Sequence, residues 1–165
     1  MWPMLLRKIA LFRRDDRGLQ LVELAIVLPI LIVLLAAVAE FGRYFQEYTT
    51  LAKGSRVAAR YLATGATCGA DDPAAKRLVV YGNTAGTGSP IVPGLAVENI
   101  DIIRRDALGN ETEGFPTTIT VEIIDYQHTP IFDLGALTRT SASLNIAVKP
   151  SVTMRYLMTQ PVGCL

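Results

Sequence analysis

Between Leu19 and Ala39 the chain reads LQLVELAIVLPILIVLLAAVA, a run in which Gln20 and Glu23 are the strongly polar members. At 1.5 Å per residue such a segment is long enough to cross a hydrocarbon core of roughly 30 Å. Few soluble folds accommodate it, so the run sets the organisation of everything around it. Before it stands a leader, residues 1–18, with five basic side chains (Arg7, Lys8, Arg13, Arg14, Arg17) and two acidic ones (Asp15, Asp16), a net of +3. Basic residues beside a membrane segment favour the cytoplasmic side, which predicts a cytoplasmic N-terminus and an exported C-terminal part.

Pro29 falls inside the run, where it lacks an amide donor and crowds the carbonyl of Ala25, so a kink is expected there. The helical pattern continues beyond Ala39. Phe41, Tyr44, Phe45, Tyr48, Ala52, Ser55, Ala59 and Leu62 recur at spacings of three and four, with Arg43, Glu47, Lys53, Arg56 and Arg60 between them. One helix from about Leu19 to Ala63 is the reading, with 19–39 in the membrane and 40–63 outside it. Gly42 and Gly54 each weaken a helix by about 1 kcal/mol relative to Ala, marking either flexible points or close helix approach.

Composition narrows the function. Sixteen Lys plus Arg against fifteen Asp plus Glu give +1, with no basic footprint for nucleic acid. One His and two Cys supply no ligand set for a structural zinc, and a Ser-His-Asp or Cys-His constellation would have to use His128. No catalytic residue, metal site or cofactor site is assigned. His128, beside Thr129-Pro130, reads as a surface residue.

From Ala66 the composition turns to Gly, Pro and Thr among short apolar runs, marking an exported domain within 64–165. Cys68 opens it and Cys164 closes it. A disulfide between them is expected in an exported chain and would contribute up to about 4.7 kcal/mol in the chain-entropy picture; two free thiols would suit a cytoplasmic chain. Asp72-Pro73 reads as an N-cap and first helical residue, with Gly82 ending a helix Pro73 to Tyr81. The Asp71-Asp72 pair has no further oxygen ligands at a cation-binding spacing, so capping is the better reading. Gly86-Thr87-Gly88 is too short for a phosphate loop, and Asn110-Glu111-Thr112 reads as a turn.

Strand patterns cover Val97 to Arg104 and Thr117 to Tyr126, the second with Ile119, Val121 and Ile123 alternating against Thr118, Thr120 and Glu122. A third run keeps Leu144, Ile146, Val148, Val152, Met154 and Tyr156 in one parity, with Pro150 imposing a bulge, a bend or an edge position. The expected architecture is α+β: a long N-terminal transmembrane helix continuing outside the membrane, then a small antiparallel meander with a short helix. One face of the sheet would be covered by the short helix and the end of the long one. The segment Gln127 to Thr140 carries Ile131, Phe132, Leu134 and Leu137, and either folds over the sheet or docks another protein.

Glu23, a carboxylate one turn inside an apolar helix, requires headgroup depth, a partner or a function. Its context is Arg17-Gly18-Leu19-Gln20-Leu21-Val22-Glu23, followed by Leu24-Ala25-Ile26-Val27-Leu28-Pro29, Glu40-Phe41-Gly42-Arg43 and RVAARY at Arg56 to Tyr61. Together these resemble the TadE-like minor pilins, or pseudopilins, of the Tad (Flp) tight-adherence pilus system. Leu24 departs from the aromatic that the major Flp pilins usually carry after the Glu, which places the chain with the minor pilins.

The resemblance implies cleavage after Gly18 by a separate inner-membrane prepilin peptidase, leaving a new ammonium on Leu19 that Glu23 of a neighbouring subunit neutralises. It further implies other Tad pilins and assembly-platform proteins as partners, a single-pass place in the bacterial inner membrane with the C-terminal domain periplasmic, possible entry into a pilus, and a role in adhesion and biofilm formation. The mature chain would hold 11 basic and 13 acidic residues, a net of −2. Two alternatives stay open. One is an uncleaved single-pass protein with a periplasmic binding domain; the other is a soluble secreted protein cut by signal peptidase after Ala39, in the small-x-small sequence Ala37-Val38-Ala39.

Overall fold

The computed structural model describes residues 16–65, 69–132, 135 and 145–157. Its dominant element is one helix, α1, spanning Asp16–Ala63, which runs through Pro29 without interruption. The expected single helix is therefore present and begins three residues earlier than read. Its two halves differ in surroundings. Leu19, Leu21, Leu24, Ile26, Leu31, Leu35 and Val38 are exposed, with Ala36 the first buried residue of the helix, whereas Leu51, Ser55, Ala58, Ala59, Leu62 and Ala63 are buried. An apolar helix of this length whose first half touches almost nothing in its own chain is long and apolar enough to cross a membrane.

The second half of α1 forms one wall of the core. Its buried stripe runs Glu40, Leu51, Ser55, Ala58 and Leu62, with Tyr44 and Glu47 half-buried on the same line. The aromatic residues assigned to the inner face by spacing, Phe41, Phe45 and Tyr48, are instead exposed. The periodicity holds, with Tyr44, Ser55 and Leu62 on the inner face as spacing predicts, but at the start of the extramembrane half two inner positions are taken by glutamates, Glu40 and Glu47, which an apolar pattern passes over.

The short helix α2 spans Asp72–Tyr81, with Pro73 in its first turn. Gly82 ends it in the left-handed conformation at φ 73°, donating its amide to the Leu78 carbonyl at 3.0 Å. The start differs from the reading. Asp72 is already helical, the preceding Asp71 makes no side-chain cap, and the Asp72 carboxylate instead forms a bidentate pair with the Arg104 guanidinium, Nη1 to Oδ2 at 2.9 Å and Nη2 to Oδ1. Ala75, Val79 and Val80 bury α2 against the core, and α2 packs beside Gly54 of α1, where a Cβ would lie 3.5 Å from Val79 Cγ1.

Three strands form an antiparallel meander in the order β1 (Ile100–Arg105), β2 (Thr118–Ile123), β3 (Ser151–Arg155). The registers pair Ile102 with Val121 and Val121 with Val152. Val97–Asn99, read as the start of the first strand, is a single 3₁₀ turn. Asn99 fixes it, accepting the Ala96 amide and donating to the Ile124 carbonyl. In β2 the alternation is as read, with Ile119, Val121 and Ile123 buried. Pro150 stands just ahead of β3, its carbonyl taking the Ile123 amide, so it marks the bend where the ladder begins. The turn after β1 is organised by Asp106, whose Oδ1 accepts the amides of Leu108 and Asn110; of the expected turn Asn110-Glu111-Thr112, Asn110 closes it, while Glu111 and Thr112 return along β1, Glu111 bridging Arg105 and the Thr112 amide donating to the Arg104 carbonyl at 3.0 Å.

The sheet lays its buried face on α1, chiefly through β2 and β3, while α2 packs mainly on α1. The end of the chain's described part is tied to the end of α1. The Leu157 amide donates to the Ala63 carbonyl at 3.0 Å, and the Tyr156 hydroxyl donates to the Gly65 carbonyl at 2.8 Å.

Candidate functional site

Two places on α1 carry groups that burial or charge makes costly, and they sit at opposite ends of its exposed apolar stretch. The first is the step from Gly18 to Leu19 with Glu23 one turn on. All three are exposed and helical, with nothing within 4 Å of where a Gly18 Cβ would stand. Within this single chain Glu23 is exposed, beside Gln20, Leu24 and Val27 on a stretch of helix whose exposed side chains are mostly Leu, Ile and Val. Cys68 and Cys164 lie outside the described residues.

The second place was not legible as a site. At the point where α1 leaves the apolar stretch, Glu40 and Glu47 are two turns apart on its inner face, and His128 stands between them. Nδ1 of His128 lies 2.7 Å from Glu47 Oε2, and Nε2 lies 3.3 Å from Glu40 Oε2. His128 is fully buried and Glu40 is 1% exposed, so the reading of His128 as a surface residue is corrected. The loop carrying it runs alongside α1, which places a carboxylate at each ring nitrogen.

The remaining lone pairs of Glu40 are also used. Its Oε1 accepts the backbone amides of Ile131 and Phe132, each at 2.8 Å, and Arg43 Nη1 approaches Oε2 at 3.4 Å. Burial raises the Glu40 carboxyl, but the Phe132 amide, His128, the Ile131 amide and Arg43 together outweigh it and hold the group below its ordinary value of 4.5. Arg43 also reaches Glu47, at 3.8 Å. Tyr126 completes the cluster. Its hydroxyl donates to the Pro93 carbonyl at 3.1 Å and lies 3.5 Å from Glu47, and burial together with that carboxylate pushes it up to about 12. Tyr44 packs edge-on against the His128 ring, centroids 5.8 Å apart.

This constellation clamps the segment 126–132 to α1. Both His128 nitrogens are engaged by carboxylates of α1, and among the described residues no group of three or more His, Cys, Asp and Glu is arranged to hold a metal ion. One signal in the sequence points here: Glu40, Tyr44, Glu47, Leu51, Ser55, Ala58 and Leu62 also follow a three-and-four spacing, sharing Tyr44, Ser55 and Leu62 with the apolar stripe and differing from it at Glu40, Glu47, Leu51 and Ala58. The segment from Ile131 was expected either to fold over the sheet or to dock another protein. Its amides serve Glu40 while the side chains of Ile131 and Phe132 point outward, 68% and 45% exposed; Leu134 and Leu137 lie outside the described residues.

With the helix, its free apolar half and its buried acidic half described, the match to known proteins falls on that element. Residues 18–60 match the family described as TadE-like protein. Over that segment the chain is similar to TadE-like proteins. The match begins at Gly18 and ends within the last turn of α1, so the matched region takes in Glu23 and, of the clamp, the α1 residues Glu40, Arg43 and Glu47. Comparison with curated proteins and with solved structures returns no match.

Proposed function

We propose that the protein is a membrane-anchored minor pilin, or pseudopilin, that takes part in assembling a Tad (Flp) pilus and so supports adhesion and biofilm formation. One observation carries this reading: the TadE-like segment coincides with a single helix whose first half is apolar and free of its own chain and whose second half is built into a small α+β domain. Such a chain is suited to inserting one end in a bilayer and presenting the other to partners. The leader's net +3 supports a cytoplasmic N-terminus and a periplasmic domain at the inner membrane.

Cleavage after Gly18 by a prepilin peptidase would start the mature chain at Leu19 and leave an ammonium four residues from Glu23. In a helical assembly the Glu23 carboxylate of one subunit would neutralise the Leu19 amine of the next. This supports interactions with other Tad pilins and platform proteins through the apolar half of α1. Removing one partner of such a buried pair costs about 3 to 5 kcal/mol. A Cys68–Cys164 bridge in the oxidising periplasm would join the two ends of the exported domain.

The intact mass of the protein purified from membranes tests the reading. A chain starting at Leu19 supports it, one starting at Glu40 identifies a secreted product, and one starting at Met1 an uncleaved membrane protein. Glu23→Ala is expected to leave the protein membrane-bound and processed while abolishing its function in piliation. Normal piliation in that variant would remove Glu23 from the assembly role.

A further inference from the structure

The clamp at Glu40 fixes the height of a loop relative to the end of the apolar helix, and with it a ring of exposed apolar side chains. Ile131 and Phe132 are bound through their amides to the Glu40 carboxylate at 2.8 Å, one residue past Ala39. Ile146 is brought to the same level, since its carbonyl accepts the His128 amide at 3.0 Å and its side chain lines a small cavity with Glu40, Phe41 and Tyr44. Phe41, Ile131, Phe132 and Ile146 are all substantially exposed, from 38% to 68%. Three separated segments of chain thus expose apolar groups at one level, around the point where α1 enters the domain. Charge resumes one turn higher, at the partly exposed Arg43, about 4.5 Å further along the axis.

If Leu19 to Ala39 fills the hydrocarbon, residue 40 stands at its outer boundary, where the headgroup layer adds several ångströms and where apolar and aromatic side chains above a guanidinium are favoured. We propose that Phe41, Ile131, Phe132 and Ile146 form a collar that seats the exported domain in the interfacial layer of the bilayer from which α1 emerges. The occupant of this surface is lipid: the collar is continuous with the apolar surface of α1 below it, and among the described residues the ionisable side chains at its level, Glu40 and His128, are turned inward and buried. Glu40 therefore holds the loop by its backbone and leaves the loop's side chains free for the membrane. The collar rests on the membrane-spanning reading of α1, and its test keeps the two apart.

Full-length protein carrying Trp2→Phe, which removes the one natural Trp, is reconstituted into phosphatidylcholine vesicles whose acyl chains are brominated close to the glycerol. Single tryptophans are placed at Phe132, at Ile131, at Leu31 in the apolar half of α1, and at Leu108 on the exposed turn after β1. Tryptophans at 132 and 131 are expected to lose about half their emission on bromination, as groups seated 5 to 10 Å into the headgroup and acyl boundary do, while the one at 108 is unaffected. Emission at 132 and 131 as insensitive as at 108, with Leu31→Trp blue-shifted and changing between vesicles brominated at different depths, overturns the collar and leaves the span standing. Protection at 132 from aqueous acrylamide without bromine quenching reports a protein partner on this surface and also overturns it. A tryptophan at 31 that behaves as in water removes the span and the collar together.

Discussion

Glu40 shows how one side chain sets the position of a loop. A carboxylate that is 1% exposed is tolerated because two amides, an imidazole and a guanidinium surround it. Its folded-state pKa lies below the ordinary value of 4.5, after the raising effect of burial is outweighed by those donors. A carboxyl whose pKa is depressed by folding adds stability that is complete above its unfolded value and is lost as pH falls through its folded value. The expected outcome is a melting temperature, followed by circular dichroism in detergent micelles, that declines as pH falls below about 4.5 more steeply in the parent than in Glu40→Gln. The variant melts lower at neutral pH, having lost the charge that Arg43 and His128 face, and the two curves converge in acid. A constant offset between them at every pH would show that the Glu40 charge makes no contribution. Other carboxylates also titrate in this range, Asp106 among them, held down by the Asn110 amide against a smaller raising effect of desolvation; the difference between parent and variant isolates Glu40.

At the scale of elements, α1 and α2 approach through Gly54. A Cβ there would meet Val79 at 3.5 Å, ordinary contact, whereas at Gly42 it would meet nothing. Gly54→Ala and Gly42→Ala are therefore both expected to stabilise the helix by about 0.5 to 1 kcal/mol through helix propensity, raising the melting temperature in micelles. Gly54→Leu has no room beside Val79 and is expected to cost about 1 to 3 kcal/mol through displacement of α2. A Gly54→Leu variant melting with or above the parent would mean that the α1–α2 contact is not packed as described. The elements themselves were largely readable from the sequence, because each is written by a repeating pattern: the long helix by its apolar run and three-and-four spacing, β2 by strict alternation, α2 by Pro73 and Gly82. What was not readable arises from contacts distant along the chain. Asp72 turned from cap to ion pair because Arg104 reaches it from β1, and His128 turned from surface to core because α1 places Glu40 and Glu47, more than eighty residues away, at its two nitrogens. Local pattern cannot report a partner that only the fold supplies.

For the whole molecule, the consequential feature is that anchor and domain share one helix with no linker between them. Ala36 is already buried and Glu40 is locked to the domain, so the orientation of the domain about the apolar half of α1 is fixed by helical phase. A hinged anchor would let the domain rotate freely relative to Glu23; this one does not. Inserting one Ala between Leu31 and Ile32, below the first contact with the domain, turns Glu23 by about 100° relative to the Glu40 clamp, whereas inserting four turns it by about 40° net. If assembly pairs Glu23 of one subunit with the Leu19 amine of the next while the domains also meet, the single insertion is expected to abolish piliation and the fourfold insertion to retain more of it, with both proteins still folded and membrane-bound. Added length alone would produce the opposite order, since four residues lengthen the span by about 6 Å and one by about 1.5 Å. Piliation counted by electron microscopy in cells carrying each insertion separates phase from length, and equal piliation in both would show that anchor and domain act independently.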